Sequence, residues 1–159
     1  RPRVGECGQN DNGKFIEVVE KDIFPGAALF MKKDVIEKIG MFESGFFLIH
    51  EDTDLCLRSK NAGCKNLLVP QAVVYHKTQM SMGKHPFLTN YYSTRNFLYI
   101  ARKHANLFNQ FLVHLGTCVF GVKHVVKYVY GNSEEKKIAR GFFEGIRDFY
   151  LGKMGKYTE

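Results

Sequence analysis

Three carboxylates crowd into four positions of this chain: Glu51, Asp52 and Asp54. An apolar run, Phe46-Phe47-Leu48-Ile49, leads straight into them through His50. A proton-abstracting carboxylate needs a backbone that cannot drift, because the base must lie within hydrogen-bond reach of the hydroxyl it deprotonates. An anchored run followed by paired acids has that form. The same residues also suit a plain helix start, where acids are favoured by the backbone dipole, and both readings stand on these residues alone. Asp54 and Arg58 are four apart and can pair on one helix face.

The elements that must hold these groups follow from the flanking pattern. Residues 1–14 are rich in Gly, Asn and charge and read as a loop or frayed end. Phe15 to Lys21 and Ile23 to Lys32 read as strands, the second with small residues Gly26, Ala27 and Ala28 near its start. Asp34 and Glu37 have capping-box spacing for a short helix that stops at Gly40. A helix is expected from about Glu51 to Ala62, with Gly63 as its stop. Short strands are expected at Cys64–Val69, closed by Pro70, and at Ala72–His76. Residues 77–86 read as a loop, Phe87 to His104 as a helix, and Ala105 to Tyr130 as another. Ser133 is expected to cap a last helix with Ile138, Phe142, Ile146 and Phe149 as its apolar stripe.

The helix expected over 105–130 has an unusual make-up. Asn106, Gln110, His114, Thr117, His124 and Lys127 recur at near-helical spacing, and almost everything between them is apolar. Residues 104–122 contain no Lys, Arg, Asp or Glu. The length approaches a membrane span, but the polar stripe argues against one. Three placements remain open: flat on a membrane surface, packed on a further domain or a second copy, or buried in the core.

Composition sets outer limits. The 159 residues suffice for a real core, and 45% hydrophobic with 25% charged residues excludes a disordered chain. A net charge of +7 suits an anionic partner. Nucleic acid is disfavoured, because the aromatics among the basic residues from Tyr91 to Lys103 follow the helical spacing of packed side chains. Cys7, Cys56, Cys64 and Cys118 form no Cys-x-x-Cys pair or zinc spacing and read as ordinary buried thiols in a reducing compartment.

The ordered set Gly26-Ala-Ala-Leu-Phe-Met, Val35-Ile-Glu-Lys-Ile-Gly-Met-Phe, Phe46-Phe-Leu-Ile-His-Glu-Asp-Thr-Asp-Leu-Cys-Leu-Arg, Gly63, Val69-Pro70, Val74-Tyr-His76 and Tyr91-Tyr-x-x-Arg95-Asn96 resembles the C-terminal, acceptor-side half of family 2 glycosyltransferases. The likeness is to the rhamnosyltransferase-like, non-processive members. It spans about residues 15–105, with a looser likeness over 141–157, and the Glu-Asp-x-Asp-Leu-x-x-Arg element followed by a later strand-borne His is its specific part. The resemblance implies an α/β fold: a partial GT-A-like mixed sheet with flanking helices over residues 1–104 and an amphipathic helical tail over 105–159. It also implies inverting transfer of a sugar from a nucleotide-sugar donor to a glycan or lipid-linked acceptor, in polysaccharide or cell-wall synthesis.

Residue by residue, the resemblance makes Asp52 the general base and Glu51 its support. Gly26, Ala27 and Ala28 would border the sugar or acceptor. His76 would be a ligand of a divalent cation, Mg²⁺ or Mn²⁺, or else an ordinary strand-end histidine. Arg95 would reach a phosphate, or make a helix-surface salt bridge. The family's nucleotide-binding half, with its metal-binding Asp-x-Asp, has no counterpart in the sequence. Asp52-Thr53-Asp54 reads literally as Asp-x-Asp but opens a helix at the place of the base. The expectation is therefore a fragment that needs the N-terminal half of the same chain, is inactive and cation-free by itself, and works in the cytoplasm at the inner face of a membrane. Its processive relatives' Gln-x-x-Arg-Trp signature is absent, since there is no Trp, which favours single-sugar transfer. The alternative is a membrane-docking or dimerisation module without catalysis.

Overall fold

A computed structural model describes residues 16–75 and 84–158. Among these are five α-helices and one small antiparallel ladder, and the chain divides into two compact units. The first comprises the described residues up to Phe42 together with Glu51–Tyr75. The second comprises Glu43–His50 and the described residues from Lys84 on. The division expected at residue 104 is therefore not where the chain parts, because the helix ending there packs along the last helix of the chain.

In the first unit, β1 (Val19–Glu20) pairs antiparallel with β2 (Leu67–Leu68), Val19 opposite Leu68 and Glu20 opposite Leu67. The α/β expectation holds only in coarse form: helices dominate, and the sheet is two residues deep on each strand. Ile23 to Lys32 is not a strand. Pro25 introduces a single 3₁₀ turn over Gly26–Ala28 instead, as suits a proline with fixed φ ahead of small residues. Ala72–Tyr75 forms no ladder. α1 (Lys33–Ile39) starts after Lys32 without a side-chain cap, so Asp34 lies inside the first turn and accepts from the adjacent Val35 N–H. Gly40 takes φ +78° and ends it. α2 (Glu51–Asn61) is followed by Gly63 at φ +82°.

α2 and α1 are tied by one side chain. Arg58 donates through Nε to Asp54, 2.7 Å away, and through its terminal nitrogens to the carbonyls of Ile39, Gly40 and Met41. Asp54 is fully buried. The i,i+4 pair expected from the sequence thus closes the open carbonyl end of α1 as well as neutralising a buried acid. Asn66 performs a similar service, its amide donating to the carbonyls of Asp22 and Cys56.

The second unit is a helical hairpin stack of α3 (Pro86–His104), α4 (Leu107–Tyr130) and α5 (Ser133–Tyr150). Its core is the α3–α5 contact, where Tyr91, Tyr92, Leu98, Ala101, Ala139, Phe142 and Phe149 are buried. Gly141 and Gly145, one helical turn apart, allow the two backbones to meet. A β-carbon on Gly141 would collide with the Phe87 carbonyl oxygen, and one on Gly145 would lie 2.7 Å from that of Tyr91. The cap of α5 is Asn132, not Ser133: its side chain accepts from the N–H groups of Glu134 and Glu135, while Glu135 accepts from the Asn132 N–H. That is the reciprocal capping box, one residue earlier than expected.

Candidate functional site

The chain enters α2 from a segment with costly backbone geometry. Phe47, Ile49 and His50 have φ of +60°, +63° and +73°. Such values are uncommon for any residue with a β-carbon and are an outlier for β-branched isoleucine. The Leu48 N–H donates back to the Phe46 carbonyl at 2.7 Å, closing a three-residue turn around Phe47 in its disfavoured hand. Strain of this kind persists only where surrounding contacts over-determine it, and such contacts gather at functional sites.

α3 supplies those contacts through two adjacent, fully buried side chains, Arg95 and Asn96. The Asn96 amide donates to the carbonyls of Phe46, Leu48 and Ile49 at 3.0, 2.6 and 2.7 Å. Arg95 donates from its terminal nitrogens to the carbonyls of Gly45, Phe46 and Gly155 and to the Tyr91 hydroxyl, and from Nε to the Asn96 side-chain oxygen. The rings of Tyr91 and Tyr92 flank its guanidinium at 5.2 and 5.1 Å. All five guanidinium protons have partners. Arg95 therefore turns no donor toward a phosphate, and it makes no helix-surface salt bridge. It is a positioning residue that pins the 45–46 backbone. Periodicity could not have found this, since a buried arginine at a helical interior position looks like a surface one in sequence; the adjacent Asn96 was the available signal.

The acids themselves sit in the first turn of α2, in the first unit. Asp52 is held by two backbone donors. Its Oδ2 accepts from the Gly26 N–H at 2.6 Å, and its Oδ1 accepts from the Thr53 N–H at 2.6 Å and the Thr53 hydroxyl at 3.3 Å. A β-carbon on Gly26 would come within 3.1 Å of the Asp52 Cβ. The small residue at 26 thus serves close approach, but to Asp52. Ala27 and Ala28 complete the 3₁₀ turn and are exposed. A carboxylate offers about four lone-pair directions, so Asp52 keeps capacity for an incoming hydroxyl while its orientation is fixed.

Glu51 differs from its neighbour. Its Oε2 is buried and has no hydrogen-bond partner, an arrangement that demands an explanation in a native site. Burial, followed by repulsion from Asp52, pushes its carboxyl above the ordinary range against the opposing pull of its own backbone N–H. Two adjacent acids in unlike environments, one fixed by donors and one left short of them, is the pattern that separates acid and base roles in enzymes.

His76 lies outside the described residues. Among those described, no group of three or more His, Cys, Asp and Glu side chains is placed to hold a metal ion. Cys56 is buried, with its thiol pushed up by burial, whereas Cys64 is half-buried and Cys118 exposed; all three are free. No family model matches the chain, and neither does any curated protein or any solved structure.

Proposed function

We propose that the chain carries the acceptor-side, base-bearing part of an inverting nucleotide-sugar glycosyltransferase, with Asp52 as the base. The observation that carries this reading is the Asp52 carboxylate clamped by the Gly26 and Thr53 N–H groups beside the unpartnered Glu51 oxygen. The resemblance of the surrounding motifs supplies the reaction class. In this reaction the acceptor hydroxyl gives its proton to Asp52 as its oxygen bonds to the anomeric carbon. The bond from that carbon to the donor phosphate breaks on the opposite face, and the nucleoside diphosphate leaves with both electrons. Glu51, held above its usual pKa, orients the acceptor through the hydrogen-bonding capacity that its buried oxygen leaves open.

The nucleotide and its cation fall to the N-terminal half that the resemblance implies. Support for such a companion comes from the first unit. A sheet of two strands is marginal by itself, and Phe30, Val73, Val74 and Tyr75 remain exposed.

The test is sugar transfer by the longest natural polypeptide that contains these residues, offered nucleotide sugars and a lipid-linked or glycan acceptor. Asp52→Asn should lower turnover by about a hundredfold or more, as loss of a general base does, with the circular dichroism spectrum and melting temperature retained. Full activity in that variant removes Asp52 as the base. Absence of transfer from every nucleotide sugar by the unaltered polypeptide removes the reaction class.

A further inference from the structure

α4 is built inside out. Its polar stripe, the side that soluble helices turn to water, is the side packed against α5 within the second unit. His124 stacks on Phe142 with ring centroids 3.9 Å apart, His114 hydrogen-bonds the Tyr150 hydroxyl at 2.9 Å, and Gly121 faces Phe142. The apolar side faces outward along the whole helix. α4 buries no residue; Leu107 is 83% exposed, Val119 and Val122 are each 66% exposed, and Phe108, Phe111, Leu115 and Val126 are open as well. An apolar face of this length is far more than the scattered exposed residues normal on a monomer, and such faces mark interaction surfaces.

Charge decides what covers it. No Asp or Glu occurs anywhere between Asp54 and Glu134, whereas Arg102, Lys103, Lys123 and Lys127 fall within or next to α4 in that stretch. Beside the C-terminal end of the face, Tyr128, Ser133, Lys136, Lys137 and Arg140 line an open groove of about 600 Å³. The nearby acids are largely engaged: Glu43 pairs with Lys103, Glu135 closes the α5 cap, and Glu144 pairs with Arg140 and the Tyr157 hydroxyl. Among the described acids near the groove, Glu134 stands at the helix start as a general counter-charge. A second copy docking face to face would set lysine against lysine. Among the described residues, no helix is long and apolar enough to cross a bilayer. An amphipathic helix with an aromatic and aliphatic face and a basic rim is the form that lies in the interface of an anionic membrane.

We infer that α4 docks flat on an anionic lipid bilayer, its Leu107–Val126 face among the acyl chains and the Lys136–Lys137 groove on lipid phosphates. This surface does not depend on the chemistry of Asp52. The probe is vesicle flotation of the 159-residue chain with phosphatidylcholine alone and with phosphatidylcholine mixed with phosphatidylglycerol. The chain should float with the mixed vesicles, at least about tenfold more weakly with the neutral ones, and should be released by high salt. Val119→Asp with Val122→Asp alters only exposed positions and should abolish flotation. Lys136→Glu with Lys137→Glu should weaken it by roughly fivefold or more per lysine, which keeps the test decisive if the first variant misfolds. No flotation with either vesicle, or equal flotation with both, overturns the proposal. So does a concentration-dependent dimer that Val119→Asp disrupts in a chain that ignores vesicles, which would make a second copy the occupant.

Discussion

At the scale of single residues, Glu51 and Asp52 are neighbours with opposite circumstances, and the difference has a stability signature. Because burial holds the Glu51 carboxyl above its ordinary value near 4.5, the unfolded chain ionises there first as pH climbs. The folded state then binds more protons, so stability falls as pH rises from about that ordinary value up to the raised folded one. Glu51→Gln removes the penalty. The variant should melt at a higher temperature than the unaltered chain at pH 7, with the gap closing by pH 4; a gap that is unchanged across this range would show that Glu51 carries no burial penalty. Under the proposed sugar-transfer role the same variant should lose activity, the usual exchange of stability for a strained or unpaired functional group. Gly26→Ala should disturb Asp52 through its 3.1 Å approach and lower activity without unfolding the chain, since Gly26 is exposed.

At the scale of elements, the pinned turn at 45–50 and the glycine seam between α3 and α5 define the second unit. Asn96→Ala takes the donor from the Leu48 and Ile49 carbonyls of a strained turn, while the Phe46 carbonyl keeps Arg95 and the Leu48 N–H, at a cost of about 2–3 kcal/mol in denaturant-derived stability. Gly141→Ala adds a β-carbon where the Phe87 carbonyl stands. The gain in helix propensity, about 1 kcal/mol, is outweighed by separation of the two helices, for a net loss of about 2 kcal/mol. A Gly141→Ala chain as stable as the parent would mean the seam yields. The helix boundaries were largely legible: α2 from its acids and Gly63, α3 and α4 from their periods. The seam was not, because the chain shows an apolar stripe at Ile138, Phe142, Ile146 and Phe149, whereas burial centres on Ala139, Gly141, Phe142, Gly145, Asp148 and Phe149. Small residues carry no hydropathy signal, yet they set how near two backbones come.

Across the whole molecule the two units are unequal. The first rests on a two-rung ladder and the Arg58 tie; the second has an aromatic core laced by the Arg95, Tyr91 and Asp148 network. Burial and the bond to Asp148 push the Tyr91 hydroxyl up to about 12, so at neutral pH it is a donor to Asp148, 2.8 Å away. Amide exchange should therefore be slowest in α3 and α5 and fastest in the first unit around residues 67–75, where few buried contacts restrain the backbone. Equal protection of the two regions would contradict that ordering.

The sequence by itself determined the local facts: where the helices run to within a residue or two, though not their capping residues, that Asp54 and Arg58 share a face, that acids cluster after an apolar anchor, and that the stretch up to Tyr130 is an amphipathic helix. These depend on neighbours within a turn or two of chain. Tertiary structure decided the rest. It made Arg95 a backbone clamp instead of a phosphate ligand, turned Gly26 toward Asp52, replaced a strand at Ile23–Lys32 with a 3₁₀ turn, and set the apolar side of α4 outward. Each of these depends on groups far apart in the chain, whose distances no local pattern encodes. The paired acids of α2 owe their presence to sequence, but Asp52 being held by donors while one Glu51 oxygen is left without any is a property of the fold.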